Sequence, residues 1–253
     1  MTQLATHTLI LAAGRGSRLG AMTEALPKGL TELGGRPLLH WHLEALRAAG
    51  QQEIALIKGY RAAEFHLAGT HSFENPRWAE TQMVQSLACA AAWLRQVPCL
   101  ITYADILTSV HCLQALAAAP GELVIASNLG WRALWEARFS DPLADAERFR
   151  VTPAGNLLEI GQRAQHLDHI QGQYMGLLKI TPRGWQWIES LLAHSPPAVA
   201  DQLDMTTLLQ QLLEQGHPIA VLPTTEPWLE IDTPEDLALY QRMLTLRQLR
   251  LPL

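Results

Sequence analysis

Short apolar runs alternate with stretches of helical length along most of the chain, which predicts βα units and a largely parallel sheet. The runs are "TLILAA" (8–13), "EIALIKG" (53–59), "CLITYAD" (99–105) and "ELVIASN" (122–128). Between the first two, "LLHWHLEALRAAG" sets Leu38, Leu39, Leu43 and Leu46 at helical spacing and ends on Gly50, a residue suited to a helix C-terminus. "MVQSLACAAAWLRQ" (83–96) reads as a second helix and "VHCLQALAAAPG" (110–121) as a third. From about Phe149 the texture changes. "FRVTPAGNLLEIGQ" predicts a hairpin turning at 153–156, and "QYMGLLKIT" (173–181) predicts a further strand, so the sheet is mixed and its later part folds over the first. Helices over 183–194 and 205–216, a strand over 219–224 and a last helix opening at "TPEDL" complete the pattern. The expected fold class is α/β: a Rossmann-like, mixed, mostly parallel sheet flanked by helices, filling residues 1–253 as one domain.

Composition removes several classes of function. A net charge of −5 with scattered lysines and arginines gives no basic footprint for nucleic acid. Cys89, Cys99 and Cys112 match no zinc spacing and read as reduced core thiols, which suits the cytoplasm. The N-terminus has no basic start, its apolar run breaks at Gly14, and no stretch approaches the roughly 18 uninterrupted apolar residues of a membrane span. A soluble, cytoplasmic protein without nucleic-acid or membrane partners is therefore expected, with a homo-oligomer left open. His40 and His42 lie in an amphipathic stretch, and His166 and His169 lack a third ligand nearby, so none of them reads as a zinc site.

The chemistry begins at "LILAAGRGSRLG" (9–20), where a buried strand runs into a glycine-rich turn. Such a turn offers backbone N–H groups to an anion, phosphate above all. A P-loop needs Lys-Ser/Thr after its last glycine, where this chain has Leu19 and Gly20. A dinucleotide fingerprint needs a third glycine where Leu19 stands, and an acid after the second strand, where "ALIKGY" offers Lys58. Ser17 has no His and Asp partners in pattern, which disfavours acyl-enzyme chemistry. Arg15, Arg18 and Lys28, three cations within fourteen positions, suit a triphosphate instead.

The stretch "LAAGRGSRLG", continued by "LPKGLTELGGRPLLHWHLEAL", resembles the N-terminal signature of nucleotidyltransferases that join a nucleoside triphosphate to a phosphorylated acceptor and release pyrophosphate. "ETQMVQSLACA", "ITYADIL", "DPLADAE", "EIGQ", "IQGQYMGLLKIT" and "WLEIDTPEDL" resemble later landmarks of the bacterial branch containing phosphocholine, phosphonate and capsule-modifying cytidylyltransferases. Within it, "IQGQYMGLLKITPRGW" with "DMTTLL" is most similar to capsular enzymes that make CDP-activated glutamine phosphate. The resemblance covers nearly the whole chain. It implies a Mg2+-dependent cytidylyltransferase with the nucleotide-diphospho-sugar transferase-like fold, acting on CTP and a small acceptor that bears an amino group.

Asp105, at the end of "CLITYAD", should emerge at the carboxyl edge of a strand, where open α/β sheets bind ligands; its plain alternative is a turn or cap residue. Glu230 and Asp232 alternate around Ile231 and so share a face, which suggests a cation. Thr233, Pro234, Glu235 and Asp236 read as a helix start. By resemblance, Asp105 and Asp232 hold the metal with Glu230 as a third or supporting group. Lys28 faces the α-phosphate and Arg18 the β- and γ-phosphates. Leu11, Ala12, Ala13, Gly14, Arg15, Gly16 and Ser17 form the nucleotide loop, and Gln82 and Gln85 are the candidates to read the base. "EIGQR" has Gln162 where sugar-phosphate enzymes often have lysine, which argues against a sugar 1-phosphate. For the acceptor, Arg138 is the preferred cation, oriented by Asp141, Asp145 and Glu147, with Tyr174 and Trp135 beside it. Trp131 and Trp135 share a helical face that suits either a cation–π wall or plain core packing. The competing functions are a uridylyl- or thymidylyltransferase of sugar phosphates and a non-catalytic nucleotide-binding regulatory module.

Overall fold

The structure, a computed structural model, describes residues 4–251. Seven strands form the central sheet: β1 (His7–Ala12), β2 (Glu53–Lys58), β3 (His71–Glu74), β4 (Cys99–Tyr103), β5 (Leu123–Asn128), β6 (Gln173–Ile180) and β7 (Ala220–Thr224). Their order is β7-β5-β6-β4-β1-β2-β3, and every neighbouring pair is parallel except those made by β6, which is antiparallel to both β4 and β5. The mixed, mostly parallel sheet agrees with the sequence reading. The strand β3 and the two-stranded pair Ile106–Thr108 with Trp228–Glu230 were not legible, because "HSFE", "ILT" and "WLE" are too short to carry a period.

The pleat explains why the strands read as continuous apolar runs. In β1, Leu9 faces a core layer under the helices Met83–Ala88, Pro182–His194 and Met205–Glu214, and Ile10 faces a layer under the helices Leu38–Ala48 and Val110–Ala118. A third, smaller cluster of Leu19, Leu33, Leu38, Leu107, Leu229, Ile231 and Tyr240 underlies the glycine turn and the strand that leads to Asp232. The helix predicted over 83–96 is two helices, Met83–Ala88 and Ala91–Leu94. The chain turns at Cys89 and at Ala90, which is fully buried with φ −96° and ψ 17°. The predicted hairpin is present as Glu147–Val151 paired with Leu157–Arg163, in a sheet of its own.

Chain order reverses direction across the sheet between β1 and β4, since β2 and β3 lie on one side of β1 and β4 on the other. Carboxyl ends that flank such a switch point leave a crevice for ligands. Here they deliver the glycine turn after Ala12 and the Ala104–Asp105 turn after Tyr103. No helix among the described residues is long and apolar enough to cross a membrane.

Candidate active site

The glycine turn is held by its own backbone and by Thr23. Thr23 Oγ1 donates to the carbonyls of Gly16 (3.0 Å) and Gly20 (3.2 Å), and Tyr60 N donates to Ala13 O at 2.8 Å. Gly16 adopts φ +72°, and a Cβ placed on it would meet Lys28 Cβ and Cδ at 2.8 Å. Only glycine allows this approach, which lays the turn along the Lys28 side chain. Pro27 precedes that lysine and fixes its entry. A cleft of about 400 Å³ opens above, lined by Leu11, Ala12, Ala13, Gly14, Arg15, Gly16, Lys28, Gln82 and Asp105 among others. Ser17 and Gln85, expected in the nucleotide set, do not line it. Ser17 is exposed at the start of the following helical turn, and Gln85 sits on a helix whose cleft-side positions are Gln82, Met83 and Ser86. Thr81, Ser86, Trp78 and Tyr103 line the cleft in addition. Ser86 Oγ is fixed by Asn75 Nδ2 at 3.0 Å. Sequence spacing gave no signal for this loop, since "NPRWAET" has no periodicity and its place comes from tertiary bonds.

At the floor, Lys28 Nζ donates to Asp105 Oδ2 and to Asp232 Oδ1, and Arg18 Nη2 lies 3.0 Å from the same Asp232 oxygen. Burial alone would lower the Lys28 pKa, but the two carboxylates outweigh it and hold the ammonium above its usual range. Asp105 Oδ1 is buried and has no hydrogen-bond partner among the described residues. A bare carboxylate oxygen beside a second carboxylate fits a hard divalent cation, which takes one or two carboxylates and completes its shell with water and phosphate oxygens. Among the described residues no group of three His, Cys, Asp or Glu side chains is placed to hold a metal ion.

Glu230 has another partner. The Arg138 side chain, fully shielded from solvent, donates from Nη1 to Glu230 Oε2 (2.7 Å) and from Nε and Nη2 to Asp236 (2.8 and 3.1 Å). Its Nη2 also lies 3.8 Å from Asp232 Oδ2. Asp236 in turn accepts from Asp232 N and Thr233 N, closing the capping box that starts the helix Pro234–Thr245. Burial alone would lower the Arg138 pKa; Asp236 and Glu230 hold it above its ordinary value. The expectation that Arg138 meets the acceptor is thus corrected. It is the last residue of the helix Trp131–Arg138, packed against the start of the final helix, and its guanidinium is consumed by the carboxylates there. Burial, then Asp232, push Glu230 up to about 7 despite Arg138.

A second pocket adjoins the first through Met83 and Tyr103. Its lining includes Tyr174, Trp135, Arg18, Glu230 and Asp232, and three further acids, Asp145, Glu147 and Asp204. Trp135 is packed in the core, 3% exposed and stacked on Trp228 with ring centroids 5.5 Å apart, and it also forms part of the pocket wall. Burial, Asp204 and Asp145 together push Glu147 up to about 7. Gly176 makes the bulge that shapes this wall: its φ is +67°, and a Cβ would meet Tyr103 Cδ2 at 2.7 Å.

Comparison with known proteins agrees with this geometry. Residues 8–176 match the family described as MobA-like NTP transferase domain. The CTP:phosphoglutamine cytidylyltransferase of Campylobacter jejuni is 32% identical, over 91% of this chain and 97% of that protein. The CMP-5'-(3-aminopropyl)phosphonate synthase of Streptomyces rubellomurinus is 36% identical over 51% of this chain, which is 22% of its own length. The solved inositol-1-phosphate CTP transferase of T. maritima superposes with a TM-score of 0.75, covering 96% of this chain and 98% of that one at 19% identity, and shows the same fold. Its sheet, its glycine turn at the switch point and its sequence kinship together make this chain a member of the MobA-like NTP transferase family, a nucleotidyltransferase that releases pyrophosphate.

Proposed function

We propose that the chain is a Mg2+-dependent cytidylyltransferase that joins CTP to a small, amino-bearing phosphate or phosphonate acceptor such as glutamine phosphate, phosphocholine or 2-aminoethylphosphonate. The observation that carries the acceptor class is the second pocket: Asp145, Glu147 and Asp204 line it, and among the described residues Arg18 is its sole basic lining residue. An ammonium is the charge such a wall lacks, and a ligand bearing only anionic groups would be repelled. The choice of CTP rests on kinship to the cytidylyltransferases named above.

In this reading the backbone of Leu11 to Gly16 cradles the nucleotide, and Thr81, Gln82 and Ser86 meet the base. Asp105 and Asp232 would hold Mg2+, which would supply positive charge against the triphosphate. Lys28 stabilises the charge that develops as pyrophosphate leaves the α-phosphorus, and Arg18 engages the β- and γ-phosphates. The acceptor enters from the acidic pocket, beside Tyr174 and Trp135, so that its phosphate oxygen reaches the α-phosphorus at the junction of the two pockets and attacks in line. No covalent enzyme intermediate is involved.

The test is pyrophosphate release from the purified protein with Mg2+, crossing CTP, UTP, ATP, GTP and dTTP with glutamine phosphate, phosphocholine, 2-aminoethylphosphonate and several sugar 1-phosphates, with mass spectrometry of products. Release with CTP and one amino-bearing acceptor is expected. Release with sugar 1-phosphates alone would overturn the acceptor class, and preference for another base would overturn CTP.

A further inference from the structure

Lys28 does more than wait beside the metal carboxylates. Its ammonium donates to Asp105 Oδ2 and Asp232 Oδ1 together, and only 12% of the side chain is exposed. A cation bound between those two oxygens and the Lys28 ammonium would occupy the same place. The lysine is also held there mechanically, by Pro27 before it and by Gly16 against its Cβ to Cδ carbons. Arg18 adds a second positive charge on the same Asp232 oxygen, so two cations face the two carboxylates. The carboxylate pair is therefore already neutralised by the protein's own cations.

We propose that Lys28 is the stand-in cation of the free enzyme, and that a divalent ion enters only by exchange with it. This rests on the reading of Asp105 and Asp232 as the metal-holding pair. Without a waiting anion, exchange strands a desolvated ammonium and is unfavourable. A triphosphate along the Gly14 to Gly16 turn supplies that anion, taking up Lys28 and Arg18 as they leave the carboxylates. The ion and the nucleotide thus enter together, and the free enzyme holds divalent cations weakly. The same exchange delivers Lys28 to the triphosphate only once the ion is seated, so the charge that stabilises the leaving pyrophosphate is not set in place before the ion that must accompany it.

The experiment is Mn2+ titration followed by electron paramagnetic resonance, without nucleotide and then with a non-hydrolysable CTP analogue, on wild type, Lys28→Met, Lys28→Arg and the double variant Lys28→Met, Asp105→Asn. Lys28→Met should bind Mn2+ without nucleotide roughly tenfold or more tighter than wild type, on the scale of removing one contacting buried cation. Lys28→Arg should stay weak, and the double variant should lose the gain. Melting temperatures give a second readout: Mg2+ alone should raise that of Lys28→Met and leave wild type unchanged. Equal Mn2+ affinity in free wild type and Lys28→Met would overturn the exchange while keeping the metal pair. Failure of wild type to bind Mn2+ even with the analogue would overturn the metal reading itself.

Discussion

Glu147 is pushed up to about 7 by burial and by Asp204 and Asp145, which makes one side chain a test of the proposed acceptor site. An ammonium is attracted by the ionised carboxylate and not by the neutral acid. The KM for an amino-bearing acceptor should therefore rise as pH falls from 8 to 6, by roughly tenfold, the scale of one hydrogen-bonded charge pair. Glu147→Gln should flatten that profile at the low-pH value while leaving the KM for nucleotide in place. An unchanged profile in the variant would remove Glu147 from acceptor binding. The stability sign runs the other way. Because the folded chain keeps this proton at pH values where the unfolded carboxylate has lost it, the stabilisation is full below the ordinary carboxylate range and is lost as pH rises through about 7. Asp105 offers a separate test at this scale: Asp105→Asn keeps the side chain's shape but removes the charge, so steady-state turnover should fall below detection at any practical Mg2+ concentration, with the circular dichroism spectrum unaltered.

At the scale of elements, the site depends on a few chain segments holding others in register. Arg138 closes the helix Trp131–Arg138 onto the strand Trp228–Glu230 and the helix Pro234–Thr245. Removing it leaves Glu230 and the buried Asp236 uncompensated, so Arg138→Met should cost about 3–5 kcal/mol in chemical denaturation. Were Arg138 an acceptor ligand, the acceptor KM would rise without that loss. Asp204 separates two roles in the same manner. Its Oδ1 accepts from Thr207 N at 2.7 Å, capping the helix Met205–Glu214, while the residue also lines the second pocket. Asp204→Ser should keep the cap within a few tenths of a kcal/mol and weaken the acceptor, whereas Asp204→Ala should lose about 1 kcal/mol as well. The sequence carried the elements whose logic is local. The glycine turn after a buried strand, the acid at a strand's end and the Thr-Pro-Glu-Asp helix start are all patterns within a few residues. Arg138 misled because its neighbours in sequence, Asp141, Asp145 and Glu147, suggested an open cation, and its real partners lie more than ninety positions away. Of the acid wall, Asp145 and Glu147 are legible through their nearness to Arg138 in sequence, and Asp204 is not, because it meets Glu147 only through the fold.

Across the whole molecule, the two pockets are joined by more than their shared floor. The loop that bears Trp78 to Gln82 on the nucleotide side is tied to the segment 201–206: Gln82 N donates to Asp201 O at 2.7 Å, and Gln202 Nε2 donates to Glu80 O at 2.9 Å. Arg77 adds a fork to the Asp201 carboxylate through Nη1 and Nη2. Three residues further along, the same segment presents Asp204, Met205 and Thr206 to the second pocket. A displacement at one end of so short a stretch should therefore reach the other. Arg77→Gln tests this coupling. The ion pair is solvent-screened at the surface, so its loss should leave the melting temperature essentially unchanged. Yet the KM values for CTP and for the acceptor should rise together in two-substrate kinetics, by a similar factor. A rise confined to the nucleotide would mean that the 201–206 segment anchors the base-side loop alone and that the acceptor wall is positioned independently, through Tyr174 and the bulge at Gly176.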